Sequence, residues 1–286
     1  MAVLSSATAT EFADRALAGS PGPARWLGSF PTACYLELGS GAVVAVLTAD
    51  AVQLPIGLTL PWSSSQLDLR SLAPAGSTAT AGADELRLGR LRIEPTGWRD
   101  AALRYCGQPV RPELVCSAAL PLAELDPDGL FTAPAVAVAR LLGRGSGLTP
   151  AGDDLLCGAL AAARLFGLPA AELGHAVLDR LAASRTATTS LSRQLLLRAV
   201  AGDGLPELQE LGQALCRPEP LTAELAWRRL LRIGHSSGAA LGAGLLTGAR
   251  QAARMSAASQ PAAASRQAAA SRQAAASRQA PFRTVA

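Results

Sequence analysis

The chain has 286 residues, 49% hydrophobic and 17% charged, enough for one large domain or two modest ones with a buried core. It contains no Lys and no Asn, so all 26 basic residues are Arg, and its only histidines are His175 and His235. These absences exclude a Schiff-base lysine, a P-loop lysine, an Asn-dependent cysteine triad and a multi-histidine metal site.

The formal charge of +4 comes from the C-terminal end. Residues 251–286 hold Arg254, Arg266, Arg272, Arg278 and Arg283 with no acid, which leaves 21 basic against 22 acidic residues in the body. A near-neutral body gives nucleic-acid binding little support; binding through the Arg tail would be salt-sensitive and lost on its deletion. The five cysteines (34, 106, 116, 157 and 216) are scattered without a Cys-x-x-Cys, which fits reduced thiols. No apolar run reaches the roughly 18–20 residues that span a bilayer. The N-terminus lacks a basic start and meets Glu11 and Asp14 early, so the expected location is cytoplasmic, with no membrane partner.

Along the chain, residues 1–20 predict a short helix around "TEFADRALAG". From about 33 to 120, short β-like runs are broken by Gly and Pro. "ACYLEL", "GSG" and "AVVAVLT" read as a hairpin, and "ELRLGRLRI" (85–93) reads as a second, turning at Gly89. Pro55, Pro61, Pro74, Pro95, Pro109, Pro112 and Pro121 preclude long helices there. A small antiparallel barrel or sandwich is expected. After about residue 130 the pattern turns helical, with helices predicted at 134–142, 150–166, 170–183, 190–201, 206–216, 222–233 and 237–253. Gly143, Gly167, Gly202 and Gly234 stand as C-caps. Helix 150–166 is rich in Ala, Gly and Leu, and Gly238/Gly242 and Gly244/Gly248 lie four apart, so close helix packing is expected. "AAASRQ" occurs three times over 262–279, a low-complexity stretch that reads as disordered or weakly helical. The expected organisation is therefore α+β: a β-rich N-terminal barrel or sandwich (1–129), a helical C-terminal domain (130–253) and an Ala/Ser/Arg/Gln tail (254–286).

Three segments carry the candidate chemistry. In "GRGSGLTPAGDD" (143–154), Gly145 and Gly147 let the backbone come close to a ligand, and Thr149 and Pro150 suit a helix start. The free N–H groups of that first turn outline an anion site. Asp153 and Asp154 can complement the helix dipole, bind Mg²⁺ as the one candidate cofactor, or act as a base. The segment thus holds an anion, holds a metal, or turns a corner. In "SRTATTS" (184–190), hydroxyls crowd another helix start beside Arg185, whose planar fork suits carboxylate or phosphate; a capped helix with a surface Arg is the bland alternative. In "IGHSSGAALGAG" (233–244), Gly234 ends a helix, Ser236 or Ser237 caps the next, and His235 sits at its N-terminus, where the neutral imidazole is favoured. His175, mid-helix, has no assigned role. If the bundle gathers these three helix starts, they form a donor-rich pocket for a small oxyanion or dicarbonyl.

Together, "GRGSGLTPAGDDLLCG", the Thr186–Gly202 stretch and "IGHSSGAALGAGLLTG" resemble the AllH-like family, over roughly residues 130–250. The resemblance implies a part in bacterial purine (allantoin) nitrogen catabolism. It implies an oxamate carbamoyltransferase acting with other subunits, in which the carbamoyl group of oxalurate passes to phosphate to give oxamate and carbamoyl phosphate. On that reading Gly145, Gly147 and Thr149 offer donors to phosphate or carboxylate. Asp153 and Asp154 hold Mg²⁺ or orient the carbamoyl nitrogen. Arg185 with Thr188 and Thr189 clamps a second anionic group, Ser236 and Ser237 line the substrate, and His235 polarises a carbonyl or shuttles a proton. The alternative is a non-catalytic subunit that binds a small anion and supports a partner.

Overall fold

The computed structural model describes residues 3–73, 78–115, 127 and 129–278. Its N-terminal part is a closed barrel built from β1 (Val3–Thr10), β2 (Gly22–Ser29), β3 (Ala33–Leu38), β4 (Val43–Leu47), β5 (Gly57–Thr59), β6 (Ala79–Gly82), β7 (Glu85–Leu88) and β8 (Leu91–Arg99). The order around the barrel is β1-β5-β4-β3-β2-β6-β7-β8. Both expected hairpins form, β3–β4 with Ala33 opposite Leu47 and β7–β8 with Leu88 opposite Leu91.

The barrel is not wholly antiparallel, as the hairpins alone suggested. β1 runs parallel to β8 and β4 parallel to β5, which closes the sheet by pairing its first strand with its last. β1 also escapes a hydrophobic reading. Its inward positions are Ser5, Ala7 and Ala9, which alternate correctly but are too small to register as a core face. The short helix α1 (Glu11–Leu17) follows, where Thr10 accepts a hydrogen bond from Ala13 N at 3.3 Å.

The barrel interior is filled by residues such as Leu36, Val44, Val46, Leu58, Leu86 and Ile93. Strand β4 is buried at every position, because it has an apolar neighbour on each face. Val44 and Val46 point into the barrel, while Val43, Ala45 and Leu47 meet Leu191, Leu148 and Leu195 of the helical part. Two polar bonds pin the same junction: Val43 N donates to buried Gln194 Oε1 at 3.3 Å, and Ser190 Oγ donates to Glu37 Oε1 at 3.0 Å.

The helical part comprises α2 (Pro134–Leu141), α3 (Ala151–Phe166), α4 (Ala171–Ala183), α5 (Ser190–Val200), α6 (Pro206–Leu215), α7 (Pro220–Leu231) and α8 (Ser237–Arg278). Each begins and ends within two residues of the expected positions, except that α8 runs on to Arg278. The four expected C-cap glycines all have positive φ. Helix α3 is central and buried nearly all round, touching one cluster through Leu155, Leu156 and Leu160 and another through Leu165 and Phe166. It packs backbone to backbone on α8: a Cβ at Gly158 would overlap the Leu241 carbonyl oxygen, and one at Gly244 the Leu155 carbonyl oxygen. The small residues of these helices serve this close approach. Leu103, Val110 and Val115, which precede the helices in sequence, also belong to the helical core.

Cys34, Cys106, Cys157 and Cys216 are free thiols, with Cys34 pushed up to about 12 by burial; Cys116 lies outside the described residues. No helix among the described residues is long and apolar enough to cross a membrane.

Candidate functional site

The loop between α2 and α3 folds back on itself. Gly152 N donates to Arg144 O at 2.8 Å, and a side chain at Gly152 would strike the Leu141 carbonyl. Gly143, at φ +75°, lets the loop pass against the stretch before α5: a Cβ there would overlap the Ala187 carbonyl oxygen. Leu148 leaves the loop in the opposite direction and packs on the barrel, where a Cβ on Gly28 would come within 2.9 Å of it. The loop is thus held between α5 and the barrel, with Arg144, Gly145, Ser146 and Gly147 exposed. The backbone N–H groups of residues 145–149 donate to no described residue. That is a run of five unspent donors beside a helix start.

The three motif segments meet here. Thr149 Oγ1 lies 3.2 Å from Ser237 Oγ and joins the start of α3 to that of α8. Thr188 Oγ1 donates to Asp153 Oδ2, and Thr189 Oγ1 donates to Leu148 O at 2.5 Å, so the start of α5 is tied to both the carboxylates and the loop. One detail differs from the expectation. Helix α3 begins at Ala151 with Pro150 in the cap position and no side-chain cap, because the Thr149 hydroxyl turns to Ser237 instead. Thr189 does cap α5, accepting from Ser192 N at 3.0 Å.

The two carboxylates are buried, Asp153 at 1% exposure and Asp154 at 6%, yet their surroundings differ. Asp153 has a donor on each oxygen: Gly143 N at 2.7 Å on Oδ1 and the Thr188 hydroxyl on Oδ2. Burial raises its pKa, and Thr188, Gly143 and Ser192 draw it back down. Asp154 Oδ2 has no hydrogen-bond partner and no contact with solvent. Its pKa is pushed up to about 7, first by burial, with the Asp153 charge adding to the rise and the Ser237 and Thr149 hydroxyls opposing it.

Other expected residues stay apart from this cluster. His235 is exposed in the turn before α8, Arg185 is exposed before α5, and neither bonds to a described residue. Ser236 offers its carbonyl to Ala240 N at 3.0 Å, the first bond of the helix. The hydroxyl protons of Thr188 and Thr189 are already given to protein oxygens, so these two residues tie the start of α5 to α3 and the loop. Leu148, Ser192 and Gln194, which position the loop and α5, went unnoticed in the sequence. Leu148 had one usable signal, as the single large apolar residue within a glycine-rich loop.

Both Asp153 oxygens already accept hydrogen bonds from the protein, which leaves Asp154 Oδ2 as the oxygen of the pair that a cation such as Mg²⁺ would meet without displacing a donor. Among the described residues no group of three or more His, Cys, Asp or Glu is placed to hold a metal.

The fold and the site define an α+β protein in which a closed barrel carries a helical layer, with three helix starts converging on one glycine-rich loop. Residues 141–249 match the family model described as oxamate carbamoyltransferase subunit AllH. All three motif segments lie inside that match, and the barrel lies outside it. No curated protein and no solved structure matches the chain.

Proposed function

We propose that this chain is a subunit of a carbamoyl-transferring enzyme of the oxamate carbamoyltransferase type, working with other subunits in the cytoplasm. Its converging helix starts hold the small acid or the carbamoyl group that passes between oxalurate and phosphate. The observation that carries this reading is the convergence of the three segments, linked through Thr188–Asp153, Thr189–Leu148 and Thr149–Ser237, within the family match. The unspent N–H groups of residues 145–149 suit a carboxylate or phosphate, since backbone donors beside a helix start stabilise negative charge without a buried cation. Arg185 and His235, exposed before two of those helices, would meet a substrate or partner arriving from solvent.

A thermal-shift series with phosphate, carbamoyl phosphate, oxamate and oxalurate tests the binding part, because a ligand that binds only the folded chain raises its melting temperature. Stabilisation by at least one of them is expected; a flat response to all four would sink the proposal.

The exposed, unpartnered His235 and the fully bonded Asp153 favour one alternative: a subunit that binds the small acid and leaves the transfer chemistry to its partners. Turnover by the isolated chain would refute that alternative, and binding without turnover would support it.

A further inference from the structure

The two adjacent aspartates invite treatment as one functional pair, and their geometry separates them. Asp153 spends both oxygens inside the protein: one accepts from Gly143 at the head of the glycine loop, the other from Thr188 ahead of α5. Removing those donors would free the loop from α5, so Asp153 acts as a brace. Asp154 is only 6% exposed, and its Oδ2 is bonded to nothing. A desolvated acceptor without a donor is a standing cost to the fold. It sits at the junction of the α3 and α8 starts, beside the Ser237 and Thr149 hydroxyls and next to the loop whose N–H groups are unspent.

We infer that Asp154 alone faces the ligand, and that it accepts a hydrogen bond from the N–H of a primary carboxamide or ureide group, with no metal between them. This deepens the proposed function and rests on it. The ligand class follows from complementarity: the loop supplies donors for a carboxylate or carbonyl oxygen, while Asp154 supplies the acceptor for nitrogen. A molecule carrying both ends, a carboxylate joined to a –CO–NH₂ group, offers oxygens to the loop donors and an N–H to Asp154. Asp154 accepts most strongly in its ionised form, and its raised pKa places that form above about pH 7. The titratable groups that interact with it are Asp153 and Cys157, both on α3; the α8 side presents the Ser237 hydroxyl and the loop that of Thr149.

The test compares three probes on the full chain at pH 8 by calorimetry: oxamate, pyruvate and oxalate. Pyruvate has the shape and charge of oxamate with a methyl in place of NH₂, and oxalate replaces the amide by a second carboxylate. A site that hydrogen-bonds the amide rejects the methyl isostere by at least about tenfold. Oxalate binds the wild type more weakly than oxamate, and Asp154→Asn, which removes the charge and adds an N–H, closes or reverses that preference. Asp153→Asn lowers the melting temperature and keeps the preference for oxamate. Neither Mg²⁺ nor EDTA changes any of these affinities. Equal affinity for oxamate and pyruvate, a requirement for Mg²⁺, or loss of discrimination in Asp153→Asn but not in Asp154→Asn would overturn the inference while leaving the proposed function standing. Silence from all three probes would count against both.

Discussion

Asp153 and Asp154 share a helix turn and a degree of burial, and differ in who donates to them. That difference sets how each responds to substitution and to pH. Asp153→Ala leaves the Gly143 N–H and the Thr188 hydroxyl without their acceptor, which should cost about 3 kcal/mol in denaturant unfolding. Asp154, whose pKa is raised from 3.8 to about 7, keeps its proton in the folded protein over a range where the unfolded chain has lost it. Between those values the folded state binds more protons, so stability contributed by this group falls as pH rises from about 4 to 7 and then levels off. The lowered carboxyls act elsewhere: Asp50, held near 2 chiefly by the Ser64 hydroxyl, adds stability as pH rises below about 4. Melting temperatures measured from pH 5 to 7.5 should therefore decline in the wild type and decline less in Asp154→Asn. Parallel slopes would contradict the placement of Asp154. Nothing in the sequence foretold this division, because burial of the pair depends on α8, more than 80 residues downstream, closing over the start of α3.

Most helices were legible in the sequence because they carry punctuation. Gly143, Gly167, Gly202 and Gly234 mark ends where a left-handed residue is needed, and Pro206 opens α6; Pro220 opens α7 two residues before the expected start. β1 was not legible, since Ser5, Ala7 and Ala9 form a core face that only a neighbouring strand reveals. The parallel pairings of β1 with β8 and β4 with β5 were equally hidden; they join segments whose order in the barrel no local pattern encodes. Close packing of α3 on α8 could be foreseen from the glycines, and its partners could not. Gly158→Ala or Gly244→Ala puts a methyl into a carbonyl of the facing helix and should destabilise by about 3 kcal/mol or more. A loss below that of an exposed Gly→Ala change would show that the helices stand further apart.

In the whole molecule, the barrel supports the site although the family match does not include it. It supports Leu148 of the glycine loop at Gly28, and its Val43 and Glu37 hold α5 through Gln194 and Ser190. Barrel and helices should consequently unfold together. Leu191, 2% exposed and packed against β4, is the residue to test: Leu191→Ala should cost about 2–5 kcal/mol and leave a single transition, whereas two separate transitions would show that the junction does not couple the parts. The three motif segments led to the expectation of a small-acid site. What they could not reveal was that Thr188 and Thr189 would spend their hydroxyl protons on the protein, which leaves the loop backbone and Asp154 as the groups on which the proposed site rests. The most direct measurement is a calorimetric titration of the full chain with oxamate, oxalurate, phosphate and carbamoyl phosphate, repeated in Gly147→Val, where a branched side chain at φ +92° would displace the loop. One saturable site for at least one of these ligands, lost or strongly weakened in the variant, is the predicted result. No binding by any of the four, or binding unchanged in Gly147→Val, would contradict the claim that three helix starts form one ligand cradle.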